Sequence, residues 1–192
     1  MRKILLIAAA TMFAAPLAQA AGDNDAAIRK LIETRFKVWM SDPMIIDAIR
    51  AQNKAHAGLT QADIDGLDKK WRAETGSSSK PMINEILGRP ASKKMLAHKN
   101  EGEGLFTEIF VMDNRGLNVA QSDATSDYWQ GDEAKWKKTF LAGPNAVFID
   151  DVEFDESTQS YQSQVSISVP DPDTGAVIGA VTIGVNVELL SN

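Results

Sequence analysis

The chain of 192 residues contains no cysteine and only two histidines, His56 and His98. Without cysteine it can form no disulfide, no thiolate metal site and no thiol nucleophile. Neither histidine belongs to a metal-binding pair or to a nucleophile motif, and the sequence has no phosphate-binding loop. The sequence therefore predicts a protein that is not an enzyme and that requires neither a metal nor a cofactor.

Basic blocks are missing as well. Lysine and arginine number 20 against 26 aspartate and glutamate residues, which gives a formal net charge of −6. An acidic chain without a basic patch is poorly suited to the phosphate backbone of nucleic acids or to anionic lipids. We therefore expect no nucleic-acid partner.

An apolar run long enough to cross a membrane is also absent from the sequence. The longest, at residues 4–15, has about a dozen residues, whereas a spanning helix needs about 20. It follows two basic residues and precedes Ala18-Gln19-Ala20, as in a cleavable signal peptide. We predict a signal peptide at residues 1–20, export to the periplasm and a single domain at residues 21–192. The alternative is an uncleaved N-terminal anchor.

The first half of the remaining chain has the period of amphipathic helices. The apolar residues of the first helix form one stripe at helical spacing: Ile28, Leu31, Ile32, Phe36 and Trp39. Asp42 before Pro43 predicts the start of a second helix, and Thr60 with Asp63 predicts the start of a third. Residues 76–79 indicate a loop between helices.

The second half has the two-residue period of strands. Five segments show it: 105–113, 117–122, 146–153, 160–169 and 176–188. Their connections are short enough for antiparallel neighbours, except for a helical segment near residues 132–142. We therefore predict an α+β domain, in which an N-terminal helical layer packs against an antiparallel sheet.

The densest group of functional side chains lies at residues 125–136. It combines two tryptophans, a tyrosine and three carboxylates. Aromatic faces beside a carboxylate suit a cationic or amphipathic small ligand. We therefore expect Asp127, Tyr128 and Trp129 to contact a ligand, while Trp136 either lines the same pocket or faces the core.

Two further acidic groups favour structural interpretations. Asp132 and Glu133 fall in the first turn of the predicted 132–142 helix, where the helix dipole favours carboxylates. The acidic residues at 150–156 lack the spacing and central glycine of an EF-hand loop, so we predict a solvated strand end and no metal site.

The order of these pieces resembles a Cache domain, also called a PDC sensor domain, the extracytoplasmic relative of the PAS fold. The resemblance is carried by the hairpin at 110–120 (FVMDNRGLNVA), by residues 126–136 and by the final strand at 177–181. It implies a PAS-like five-stranded antiparallel sheet with a long N-terminal helical layer. It also implies a ligand cavity on one face of the sheet, closed by the segment after the second strand.

The resemblance adds to the candidate site. Because the family places a ligand-contacting acid near the third strand, Asp150 or Asp151 is expected to reach the pocket. The polar face of the fourth strand, which includes Gln164 and Ser166, either lines the cavity floor or faces water. The predicted ligand-binding residues are Asp127, Tyr128, Trp129, Trp136, Asp150, Asp151 and Ser166.

One departure from the family limits the ligand. The amino-acid-sensing branch has a tyrosine followed five residues later by an arginine that clamps the ligand carboxylate. Starting that pattern at Tyr128 puts Glu133 at the arginine position. Lys135, two residues on, could act as a point charge but lacks the planar fork. Free amino acids bound in that manner are therefore not expected.

These observations predict a soluble periplasmic sensor that binds a small molecule, an amine or an organic acid. Family members sense small solutes or help partners pair, and most are joined to a transmembrane output module. A separate membrane sensor kinase or chemoreceptor is therefore the implied partner. The alternative is an interaction module with a vestigial pocket, whose helical layer mediates docking or homodimerisation.

Overall fold

The computed structural model describes residues 16–155 and 159–190, with side chains from residue 24 onward. Most of the predicted signal peptide, and Glu156 of the second acidic group, lie outside the described residues. Export by a signal peptide therefore stays a prediction. Within the described part of the chain, no helix is long and apolar enough to cross a membrane.

A long helical segment begins the described chain. Helix α1 (Pro16–Leu31) continues through a π-helical turn (Ile32–Phe36) into α2 (Lys37–Met40). The predicted apolar stripe is confirmed. Its members Ile28, Ile32 and Phe36 are buried in the main core, and Leu31 and Trp39 pack against that core.

Four further helices complete the first half. They are α3 (Pro43–Ala55), α4 (Gln61–Thr75), α5 (Pro81–Gly88) and α6 (Pro90–Glu101). The two predicted helix starts are confirmed: the Asp42 carboxylate accepts the Met44 N–H at 2.9 Å, and Thr60 and Asp63 form a reciprocal capping box. Local capping chemistry therefore determines where α3 and α4 begin.

The second half forms one antiparallel sheet. Its strands are β1 (Phe106–Met112), β2 (Asn118–Gln121), β3 (Val147–Ile149), β4 (Glu153–Asp155), β5 (Ser160–Pro170) and β6 (Val177–Asn186). The order is β2-β1-β6-β5-β3, and β4 also pairs with β5. The α+β class and the helical layer on a PAS-like antiparallel sheet are confirmed.

The expected number of five strands is wrong, because the predicted 146–153 strand is replaced by β3 and by a separate β4, which begins at the last predicted residue and extends to Asp155. Ile149 pairs with Val165, and Glu153 pairs with Gln162. The chain therefore advances four residues between these pairs, whereas β5 advances three. The extra residue forces a bulge between β3 and β4. Asp150 and Asp151 lie between the two strands, where the Asp150 N–H still donates to the Gln164 carbonyl at 2.9 Å.

The two faces of the sheet are covered differently. On the helical face, α1 to α3 and α6 pack on alternate strand residues, which include Ile109, Val165 and Ile183. The other face, called here the outer face, carries a smaller cluster around Phe110 and Met112. The segment that follows β2 crosses this outer face.

The predicted 132–142 helix is wrong in extent. The segment forms only α7 (Ala134–Lys137) and a 3₁₀ turn (Phe140–Ala142). The Thr139 hydroxyl donates to the Lys135 carbonyl, so it competes with the backbone ladder and interrupts the helix. Asp132 lies before α7, and Glu133 is its N-cap residue without a side-chain capping bond, so neither occupies the first turn.

Candidate functional site

The outer face of the sheet contains a cavity of about 260 Å³. It lies between the start of α7, the bulge that joins β3 to β4, and β5. Its lining residues are Glu133, Ala134, Lys135, Asp150, Asp151, Glu153, Gln162 and Gln164. We call it the sheet-face cavity. It lies on the side of the sheet covered by the segment after β2, as the family resemblance implies for a ligand cavity.

Negative charge dominates the lining of the sheet-face cavity. Four of the eight lining side chains are carboxylates, and Lys135 is the one lining side chain with a positive charge. The Lys135 ammonium lies 2.9 Å from the Glu133 carboxylate and 5.4 Å from the centre of the Phe110 ring. Its charge is therefore already engaged, and the remaining carboxylates give the cavity a net negative potential.

Two glutamines of β5 form the floor of the cavity, and both are held by hydrogen bonds. The Gln164 amide donates to the Glu108 carboxylate at 2.8 Å, and the Gln162 amide donates to the Asp155 carboxylate at 2.8 Å. The Thr107 hydroxyl bonds to the other end of Gln162. The floor is therefore preorganised, since its polar groups have fixed orientations.

Glu108 is a half-buried carboxylate behind this floor. Burial raises the pKa of Glu108 above its usual range, while the positive charge of Lys135 and the hydrogen bond from Gln164 act in the opposite direction. Glu108 therefore joins the cavity electrostatically without lining it.

Of the seven predicted ligand-binding residues, Asp150 and Asp151 line the sheet-face cavity. Ser166 lies two residues beyond Gln164 on the same face of β5, but it is fully buried, and its hydroxyl shares a hydrogen bond of 2.9 Å with Thr182. The polar face of β5 thus divides, with its glutamines at the cavity and Ser166 beneath neighbouring groups.

Trp136 belongs to the outer-face cluster rather than to the cavity lining. Its ring stacks on Phe140 at a centroid distance of 4.8 Å, and both rings pack against Phe110 and Met112. Its indole N–H donates to the Asp113 carbonyl at 3.1 Å. Of the two roles considered from the sequence, Trp136 has the packing role in this structure.

Asp127, Tyr128 and Trp129 lie together at helix α4, away from the sheet-face cavity lining. One oxygen of the Asp68 carboxylate accepts the N–H of Tyr128 at 2.9 Å and that of Trp129 at 3.0 Å. Arg72 pairs with Asp127 at 2.8 Å. The three residues thus attach α4 to the chain after β2, and ligand contact by them stays a prediction.

Aromatic packing reinforces this attachment. The buried Tyr128 ring stacks on Trp71 at a centroid distance of 5.4 Å, and burial raises the pKa of the Tyr128 hydroxyl. The Trp129 indole N–H donates to the Arg115 carbonyl at 2.8 Å. These side chains form a second hydrophobic core with Ile64 and other residues of α4 and α5.

Sequence reasoning did not assign Glu133, Lys135, Glu153 and Gln162 to the cavity lining, whereas Gln164 was one of the polar residues of β5 considered for the cavity floor. The available signal was the alternation of β5, which puts its two glutamines on one face. The approach of Lys135 and Glu133 to β5 has no local signature, since it depends on how the chain after β2 crosses the sheet.

A second cavity of about 260 Å³ lies near the helical face, between the α2–α3 junction and the residues around β3 and β5. Its walls include Met40, Ile46, Val147 and Ile167. Apolar side chains predominate here, beside the polar residues Lys37, Ser41, Asn145 and Ser168. We take the sheet-face cavity as the candidate site, because it lies on the sheet face that the segment after β2 covers, where the family resemblance implies the ligand cavity.

Comparison with known proteins supports the fold assignment. No family model matches the chain, and no curated protein matches it. Among solved structures, the extracellular domain of vpHK1S-Z8 is 14% identical and aligns over 91% of this chain and 57% of that domain, with a TM-score of 0.50. The chain has the Cache fold.

Other structures with similarity to this Cache fold come from sensory proteins. The sensor domain of the V. cholerae histidine kinase DctB is 13% identical, with a TM-score of 0.38 over 88% of this chain and 55% of that domain. The sensory domain of the Campylobacter jejuni chemoreceptor Tlp3 with isoleucine bound is 13% identical, with a TM-score of 0.42 over 90% and 61%. The chain spans less than two thirds of each of the three domains.

Proposed function

We propose that this protein is a periplasmic sensor that binds a small solute in the sheet-face cavity. In this proposal the signal peptide at residues 1–20 exports a single domain of residues 21–192, which acts with a separate membrane partner such as a sensor kinase or chemoreceptor. The observation that carries the proposal is a polar-lined cavity on the outer face of a Cache fold, closed by the segment after β2.

The cavity sets the size of the solute. Small-molecule sites usually enclose about 300–1,000 Å³, and this one encloses about 260 Å³. We therefore expect a solute with a small number of non-hydrogen atoms. Charged and amide groups around the cavity supply the polar contacts that would orient it.

The cavity also suggests how binding would change the protein. On one side of the cavity a solute could contact Glu133 or Lys135, and on the other side Asp150. A solute that contacts both sides would connect the start of α7 to the bulge between β3 and β4. The two sides already meet where the Lys138 ammonium lies 4.0 Å from the centre of the Phe148 ring. A solute that binds best when these two sides are held together would favour that conformation, and this population shift is the signal that a partner could read.

A second candidate function is an interaction module with a vestigial pocket. The observation that favours it is an exposed aromatic pair, Phe154 on β4 and Tyr161 on β5, at 48% and 50% exposure. Large exposed apolar side chains in a contiguous patch are typical of interaction surfaces. This candidate predicts partner binding without a solute.

A thermal-shift screen distinguishes the two candidates. The panel would contain amines, organic acids and amino acids, since a solute specific to the folded state raises the melting temperature. The Ala134→Trp variant puts a large side chain at the lining, and Ala142→Trp adds the same bulk at an exposed position outside it. We expect a stabilising solute for the wild type and Ala142→Trp, and none for Ala134→Trp. A panel without any stabilising solute would contradict the sensor proposal.

A further inference from the structure

We propose that the solute of the sheet-face cavity is an organic cation, with a short primary amine or diamine as the class. This inference rests on the proposed function and adds the chemical class of the ligand. It is carried by the balance of charge in the lining, by the partners those charges already have, and by the hydrogen-bonding state of the cavity floor.

The carboxylates of the bulge are available to a ligand. Asp150, Asp151 and Glu153 line the cavity from the β3–β4 side, and no described lysine, arginine or histidine forms an ion pair with any of them. Glu133 faces them from α7 and has Lys135 as its partner. Three of the four lining carboxylates thus lack a cationic partner among the described residues, so an ammonium group would complement them.

The same arrangement disfavours an anion. A carboxylate ligand would have to displace Glu133 from the Lys135 ammonium, 2.9 Å away, and then lie among the carboxylates of the bulge. Like charges at close distance are strongly unfavourable for binding. Lys135 is therefore better explained as the partner of Glu133 than as an anion clamp.

The floor of the cavity also offers an acceptor to a cation. Gln164 donates one amide N–H to Glu108, and its amide oxygen remains available as an acceptor for a donor ligand. The carboxylate of Glu108 receives this one side-chain hydrogen bond among the described residues. A cation above Gln164 would therefore find an acceptor at the floor and the carboxylate of Glu108 behind it.

Isothermal titration calorimetry with four probes tests the class. The probes are 1,4-diaminobutane, butylamine, succinate and leucine, titrated into the full mature chain at pH 7 and at low salt. The variants are Asp150→Asn with Asp151→Asn, and Lys135→Gln. The control is Asp132→Asn, which removes an exposed carboxylate just before α7 that does not line the cavity.

We expect the amines to bind, and the double variant to weaken them roughly tenfold, since each partly exposed ion pair contributes a modest amount. Asp132→Asn should change the affinity by less than about twofold. Lys135→Gln should tighten amine binding, because it removes the opposing positive charge; for an anion-binding site the same variant would abolish binding.

The outcomes separate the ligand class from the function. If succinate or leucine binds, and Ala134→Trp prevents that binding, the cation inference is overturned while the sensor function stands. If amines bind equally well to the wild type and to the double variant, the inference is also overturned, because the cation is then held elsewhere. If no probe and no panel solute binds, both proposals fail.

Discussion

Asp68 anchors the chain after β2 to helix α4, and replacing it tests this anchor directly. Asp68 is 8% exposed. One of its carboxylate oxygens accepts hydrogen bonds from two backbone N–H groups, that of Tyr128 at 2.9 Å and that of Trp129 at 3.0 Å. The other oxygen accepts the Arg72 guanidinium at 2.6 Å. Asp68→Ala would leave both N–H groups without their acceptor.

The expected loss follows from those contacts. A buried donor left unsatisfied costs about 1–3 kcal/mol, and bonds to a charged acceptor lie at the upper end. Tyr128 is buried, whereas Trp129 is only partly so, and water can replace part of the second bond. We therefore expect Asp68→Ala to lower the free energy of unfolding by about 3 kcal/mol.

Asp65→Ala is the matched control on the same helix. Asp65 is exposed, and its carboxylate accepts a hydrogen bond from Gln61, one turn earlier. Both substitutions change helix propensity equally, so the control should alter stability by less than about 0.5 kcal/mol.

Urea unfolding followed by tryptophan fluorescence measures both variants, and Trp71, which stacks on Tyr128, reports detachment of the segment. An Asp68→Ala loss within about 0.5 kcal/mol of the Asp65→Ala value would refute the anchor.

Three further predictions concern other parts of the fold. Burial raises the pKa of Glu108 in the folded state, so the contribution of Glu108 to stability falls as the pH rises from its unfolded to its folded pKa. Glu108→Gln should therefore raise the free energy of unfolding at pH 7 and make it depend less on pH. Urea unfolding midpoints from pH 4 to 8 measure both effects. The hydrogen bond from Arg50 lowers the pKa of Asp171. This pair therefore stabilises the fold above the unfolded pKa of Asp171, and the stabilisation is lost as the pH falls through the folded pKa. Arg50→Gln should lower the free energy of unfolding at pH 7, and acid titration should show a smaller further loss of stability below about pH 4. Gly116 has a φ of 81°, and a Cβ added there would lie 2.5 Å from the Cα atom of Gly131. Gly116→Ala should therefore lower the free energy of unfolding by about 2 kcal/mol or more, as measured by urea unfolding. The control is Gly66→Ala, on an open surface of helix α4, which should raise the free energy of unfolding by up to about 1 kcal/mol. If both alanine variants changed stability equally, the strain at Gly116 would be refuted.

Local chemistry explains which parts of the fold were predictable. The helix starts at Asp42 and Thr60 depend on contacts within three residues, so the sequence pattern alone identifies them. The bulge between β3 and β4 depends on how that segment pairs with β5, and this register is visible only in the folded sheet. The segment therefore has the sequence pattern of one continuous strand.

The candidate site shows the same division. Asp127, Tyr128 and Trp129 combine side chains that suit a ligand, but the same chemistry also suits a protein partner, and here α4 supplies one. Arg72 pairs with the Asp127 side chain and Trp71 stacks on the Tyr128 ring, although these α4 residues lie 55 and 57 positions earlier in the chain. No pattern of helical spacing marks them as partners of this segment. Asp150 and Asp151 were included through a family resemblance, which carries information on three-dimensional arrangement that local patterns lack.

The most direct measurement is a crystal structure of the mature chain grown with saturating 1,4-diaminobutane. We expect a diamine within the sheet-face cavity, with an ammonium nitrogen at hydrogen-bond distance, about 2.7–3.2 Å, from Asp150 or Asp151 and from the amide oxygen of Gln164. A diamine bound instead against Asp127 and Trp129 at α4, or a cavity without diamine, would contradict this expectation.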